Sequence, residues 1–199
     1  MTARVAAFVD QPSIVGSAPL YGRNMAVEMF FGALARHGQP GTYQLFYSHD
    51  DARTFIDNLS PAPGRLFEAA HVDDLFRDAG RFSFRAWHDP DADLASAARL
   101  RSALAMRMYP ITATPHVLSY DGLLHGWILR MLLAGVQPCD AIICISRSAK
   151  TAIANLLAHV GDRLRAAHSG EFPFRGELVL LPLDRHGALS TAPARGSET

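Results

Sequence analysis

The chain is poor in cysteine: it has two, Cys139 and Cys144, both in the stretch CDAIICIS. Two residues at that separation on one short strand and its lead-in lie too far apart for an easy disulfide. With no second pair and no neighbouring histidine, the CxxxxC spacing is not a zinc pattern. Reduced thiols and a cytoplasmic chain are expected. A charge excess of either sign is also missing, with 19 basic against 19 acidic residues, so no long-range field draws in nucleic acid. The most apolar long stretch, Trp127 to Ile145, is broken by Arg130, Pro138 and Asp140, which excludes a single membrane-spanning helix and leaves a peripheral membrane contact open. At the start, MTARVAAFVDQPS is too short an apolar run for a signal-peptide core. GxGxxG, GxxxxGK before Ser or Thr, and GxSxG are all absent, which removes the usual phosphate-loop and nucleophile-elbow signatures. No repeat of solenoid type is visible.

What is present is alternation. The 199 residues, 49% of them hydrophobic, suffice for one sizeable core and are too few for two ordinary α/β domains. RVAAFVD reads as a strand, followed by the loop QPSIVGSAPLYG and a helix with Val27, Phe30, Phe31 and Leu34 at helical spacing. TYQLFYS, GRLFEAA, RFSFRAWH, PITATPHVLSY, AIICIS and GELVLLPL are further strand candidates. Between them lie helical segments: 50–59 with Asp50 as its N-cap, HVDDLFRDAG, a surface helix over 94–108 carrying Arg99, Arg101 and Arg107, a deeply buried helix over 122–133, and an amphipathic helix marked by Ala149, Ile153, Leu156, Leu157 and Val160 and capped by Ser146 or Ser148. Such alternation predicts an α/β fold, a parallel sheet with helices on both faces, over residues 1–183. The small, polar residues 184–199 read as a disordered tail.

The candidate site residues follow from where such sheets meet ligands, at the carboxyl ends of their strands. Gly16, Ser17 and Gly22 lie in the loop after the first strand, where glycine lets backbone N–H groups approach a phosphate or sugar hydroxyl; an ordinary loop is the alternative. His116 sits where the strand PITATPHV ends and could take a proton from an acceptor hydroxyl, because an unperturbed imidazole titrates near working pH. His88 and His125 are lesser candidates on the same logic. Asp89, Asp91 and Asp93 in WHDPDAD raise a cation site. An EF-hand is excluded by Leu94 and Leu100 at its sixth and twelfth positions, a metal-binding DxD stays open, and the plainer reading is an acidic turn with Asp93 capping the next helix.

CDAIICISRSAKTAIANLL, followed by GELVLLPL, resembles the end of the N-terminal domain in retaining GT-B glycosyltransferases of the family 4 group. There a strand reading D-x-I-x-x-x-S leads into a long helix and then a strand ending hydrophobic-P-x-G. Asp140, Ile142 and Ser146 match the first part, and Leu181 and Pro182 the second; Asp184 stands where the family has glycine. Order and spacing carry the resemblance from Arg4 to Leu183. It implies a Rossmann-like half of a GT-B fold, with the Gly16–Ser17 loop facing the donor diphosphate or the acceptor, His116 near the transfer centre and Ser146 lining the cleft. It implies a nucleotide-sugar donor, an unknown acceptor and no bound cofactor or metal. It also implies a separate C-terminal half carrying the basic residues and glutamate pair that hold the donor, for which 185–199 has no substitute.

Overall fold

Short β-branched and aromatic runs of strand length, each followed by a segment of helical period, produce a regular β/α succession. The computed structural model describes residues 5–9, 22–90, 94–104, 108–115 and 121–181. In chain order the elements are β1 (Val5–Val9), α1 (Gly22–His37), β2 (Gly41–Tyr47), α2 (Asp50–Asn58), β3 (Arg65–His71), α3 (Val72–Arg77), β4 (Trp87–Asp89), α4 (Leu94–Ala103), β5 (Ile111–Ala113), α5 (Asp121–Leu133), β6 (Ala141–Cys144), α6 (Arg147–Ala167) and β7 (Glu177–Leu180). All seven strands are parallel, in the order β3-β2-β1-β4-β5-β6-β7.

The chain walks one way from β1 to β3 and the other way from β4 to β7. Crossovers of one hand therefore place their helices on opposite faces, and the two cores divide accordingly. Val27 and Phe31 of α1 and Ala52 and Ile56 of α2 pack on Ala7, Val9 and Leu45. Side chains of α3 to α6, among them Leu75, Leu94, Ile128 and Ile153, pack with Ala6, Phe46, Trp87, Ile111, Ile142 and Cys144 on the other face. On the first face α1 also reaches over β4, where Phe30 stacks on His88, and the cover thins towards the far edge, where Val179 of β7 is 40% exposed.

Asp140, just before β6, is fully buried and saturated with donors. Its Oδ1 accepts from Arg101 at 2.7 Å and from the Ile111 amide at 2.9 Å; its Oδ2 accepts from Arg101 at 2.7 Å and from the Gln137 amide at 2.8 Å. Arg101 also donates to the Tyr109 carbonyl at 2.6 Å, and the Asp140 carbonyl accepts from the Glu177 amide at 2.8 Å. One residue thus ties α4, the start of β5, the turn before β6 and the start of β7. Burial works to lower the Arg101 pKa, but the hydrogen bonds and charge of Asp140 outweigh it and hold the guanidinium above its usual value. Gly176 permits the approach of β7, since a Cβ there would stand 2.8 Å from the Asp140 carbonyl oxygen.

The structure corrects several expectations. Arg101 is a buried ion-pair member rather than a surface residue. RFSFRAWH contributes strand only at Trp87–Asp89: residues 79–81 form a 3-10 turn, and the Phe82 and Phe84 rings instead stand edge-on to Phe46, with Trp87 stacked on Phe46 at 5.6 Å. Asp50 is not the cap of α2; His49 is. α5 buries Trp127, Ile128 and Met131 but exposes Leu129, Arg130 and Leu133, so it is covered on one side only.

Removing one partner of a buried ion pair strands the other. Asp140→Ala is expected to cost roughly 3–5 kcal/mol, read as a lower urea midpoint at unchanged slope. The double change Arg101→Met with Asp140→Leu should recover part of this and not all, because the Ile111 and Gln137 amides still lose their acceptor. Tyr109 offers a second test. Burial pushes its hydroxyl up to about 12 against the opposing charge of Arg101, with Asp140 adding to the rise. Its folded value lies above the unfolded one, so this contribution to stability is complete below about pH 10 and is lost as pH climbs towards 12. Tyrosinate absorbance in the native protein should show a late-ionising tyrosine that disappears in Tyr109→Phe.

Candidate functional site

Because the strands are parallel, their carboxyl ends form one edge. Strand order reverses between β1 and β4, and such a switch point opens a crevice because the flanking loops diverge to opposite faces. Val9 ends β1, Asp89 ends β4, Ala113 ends β5 and Cys144 ends β6. The connections after β1 and β5 therefore leave this edge with β4 alone between them, about 10 Å apart at the usual strand spacing. Those connections carry Gly16, Ser17 and His116, which lie outside the described residues, as do Asp91, Asp93 and Pro182. Gly22 is the first residue of α1. The structure brings their strand ends to one edge; Ser146 stands at the same edge, one strand beyond β5.

Ser146 is the N-cap of α6. Its backbone is extended, its Oγ accepts from the Ala149 amide at 3.1 Å, and the Ser148 Oγ lies 3.0 Å away. Of the two serines considered for this cap, Ser146 fills it. Asp89 ends β4, and its carbonyl accepts from the Thr114 amide at 3.1 Å. Among the described residues no group of three or more His, Cys, Asp or Glu side chains is placed to hold a metal ion.

His88 lies beneath this edge rather than on it. Only 7% exposed, its Nδ1 is 2.9 Å from the Thr112 Oγ1 and its ring stacks on Phe30 at 4.5 Å. Thr112 Oγ1 also donates to the Trp87 carbonyl at 3.3 Å. The imidazole forms the polar wall of a largely apolar cavity of about 270 Å³, lined by Ala7, Phe30, Leu34, Leu45 and Ile143 among others. His125 is exposed on α5, its ring 6.3 Å from that of His159. Cys139 is exposed and Cys144 buried, both as free thiols, and burial pushes the Cys144 thiol up. No described helix is long and apolar enough to cross a membrane.

Two polar residues of this edge escape a motif search. His49 caps α2, its Nδ1 accepting from the Ala52 amide at 3.3 Å, and His71 caps α3, its Nδ1 accepting from the Asp73 amide at 3.2 Å. The signal available was the recurrence of one pattern, a strand end, a histidine and then paired aspartates, in YSHDD and AAHVDD.

Fold and edge together define an α/β protein of the doubly wound, Rossmann-like class, with its ligand crevice expected where the strand order reverses. Comparison with protein-family models, characterised proteins and solved structures gave no match.

The cap predicts a measurable effect at the edge. Ser146→Ala should destabilise the protein by about 1 kcal/mol and Ser146→Asp by far less, because aspartate restores the acceptor. Thermal unfolding of the three proteins checks this.

Proposed function

We propose that this chain is the N-terminal, acceptor-side half of a retaining GT-B-type glycosyltransferase, acting with a C-terminal half that holds a nucleotide-sugar donor. The observation that carries the reading is the switch point. The loop of Gly16 and Ser17 and the connection bearing His116 leave one edge of the sheet with only β4 between them, a placement suited to gathering two substrates in one crevice. The D-x-I-x-x-x-S resemblance adds support, since its serine opens α6 from that edge. The exposure of Val179 on β7 fits the same reading, because parallel sheets of this kind are covered on both faces and a companion half would supply cover. In this scheme His116 takes the proton of the acceptor hydroxyl, and backbone N–H groups near Gly16 and Ser17 face the acceptor or the donor diphosphate. Stabilising the departing diphosphate falls to the companion half, so the 199 residues alone turn over little.

A second reading is a binding module that keeps the fold without catalysis. It is favoured by Ser146, whose hydroxyl serves the helix cap, and by the exposed face around Val179, which suits a protein partner. Neither reading involves nucleic acid.

The test begins with the genomic DNA that follows codon 199, read for an α/β half with a glutamate pair, and continues with co-expression of the two parts. Nucleoside diphosphate release from a panel of nucleotide sugars should be at background for the chain alone and rise with its companion. His116→Ala should then cut the reconstituted rate by about 100-fold or more, the usual share of a general base. Sustained transfer by the 199 residues alone would overturn the half-enzyme reading, and an unchanged rate in His116→Ala would remove that residue from the chemistry.

A further inference from the structure

The helices that follow the neighbouring strands β2 and β3 are both capped by imidazole nitrogens, where serine, threonine, aspartate or asparagine is usual. His71 has its tautomer fixed by two contacts. Its Nδ1 lies 3.2 Å from the Asp73 amide, which can only donate, and its Nε2 lies 3.3 Å from the Ser48 carbonyl, which can only accept. The neutral ring with its proton on Nε2 satisfies both. At His49 the Nδ1 likewise accepts, from the Ala52 amide at 3.3 Å. A protonated imidazole has no acceptor, so adding one proton to either ring turns its cap into two N–H groups facing each other.

We propose that His49 and His71 form an acid-sensitive pair of helix caps, and that their protonation releases the first turns of α2 and α3 together at the carboxyl edge of the sheet. The Ser48 carbonyl between the two caps links them, since it immediately precedes His49 and accepts from His71.

The charges around the rings decide where the displaced groups go. α2 carries Asp50 and Asp51 in its first turn, and the amide of Arg53 bonds the His49 carbonyl at 3.2 Å. From β2, Tyr47 meets the His71 ring edge-on at 5.4 Å, and the Arg53 guanidinium lies 5.6 Å from the Tyr47 ring while paired with Asp57. From α3, Asp73 places a carboxylate oxygen 3.5 Å from His71 Nδ1, and Asp74 pairs with Arg77. Protonated His71 therefore exchanges the Asp73 amide for the Asp73 carboxylate while its Nε2 keeps the Ser48 carbonyl. The proton converts a cap into an ion pair within the same residue contact. Ser146, the cap of α6 at the same edge, has no group that titrates in this range, so the response is confined to the β2–β3 corner.

The ¹⁵N-labelled 199-residue chain, titrated from pH 8 to pH 5 by amide and histidine-ring NMR, tests this directly. The Ala52 and Asp73 amides should each shift with the midpoint of their own capping ring. Hydrogen-exchange protection of Ala52, corrected for intrinsic exchange, should fall about fivefold, the worth of one cap. Ala149, capped by Ser146, should stay still. His49→Asn and His71→Asn keep a cap that does not titrate, so each should retain protection and lose the pH response at its own helix. Rings that titrate while Ala52 and Asp73 stay fixed would overturn the proposal. So would Ala149 moving in step with them, which would mark a global acid effect, or a response at only one of the two helices, which would break the pair.

Discussion

The start of β5, the turn before β6 and the start of β7 are all referred to one residue, Asp140. Asp140 takes two bonds from the Arg101 guanidinium and two from backbone amides, with no water-exposed surface of its own. A buried charge is tolerated only when its desolvation is offset by near-ideal partners, and the planar fork of arginine meets both carboxylate oxygens at once. The four donors come from a helix, a strand start and a turn that lie up to 39 positions from Asp140 in sequence. Their convergence sets the relative height of β5 and β6, and the Asp140 carbonyl extends the same datum to β7. A carboxylate that satisfies this many donors specifies register in a way that apolar contacts, which have no direction, do not.

The clamp lies at the amino ends of the strands, while the loops expected to bind ligand leave the carboxyl ends. The clamp and the expected ligand crevice therefore lie at opposite edges. Among the described residues the carboxyl edge carries three side-chain helix caps, two of them imidazoles and one a hydroxyl. Each cap opens a helix whose first N–H groups face that edge, a field that favours anions. The proposed transferase and the binding module draw on this same polarity, and they differ in whether a companion half closes the crevice.

Much of this architecture was legible in the sequence for physical reasons. Runs such as AIIC and ELVL read as strand once helical segments flank them, though only AIIC is buried, and a serine before Arg147 announces the start of α6. Hydrophobic periodicity does not distinguish a helix buried on one side from one buried on two, which is why α5 was read as deeper than it lies. Nor does it identify a long-range partner: Arg101 shares α4 with the exposed Arg99 and differs from it by the carboxylate it reaches. RFSF alternates like a strand, yet its phenylalanines fill the space beside Phe46 and Trp87. The histidine caps were unread because a histidine after a strand suggests chemistry before it suggests a helix end. Gly16, Ser17 and His116 follow strands whose ends the fold brings to one edge, and at that level the candidate site was legible.

The uneven cover of the sheet also sets the order in which the molecule comes apart. β1 and β2 carry packed helices on both faces, whereas among the described residues β7 has little cover on one side, where Val179 is 40% exposed. A strand held from one side loses fewer contacts when it lifts, so local opening is expected to start at β7, and lifting the start of that strand breaks the bond from the Glu177 amide to the Asp140 carbonyl. A surface that covered β7 would then stabilise the chain at the strand where local opening is expected to begin.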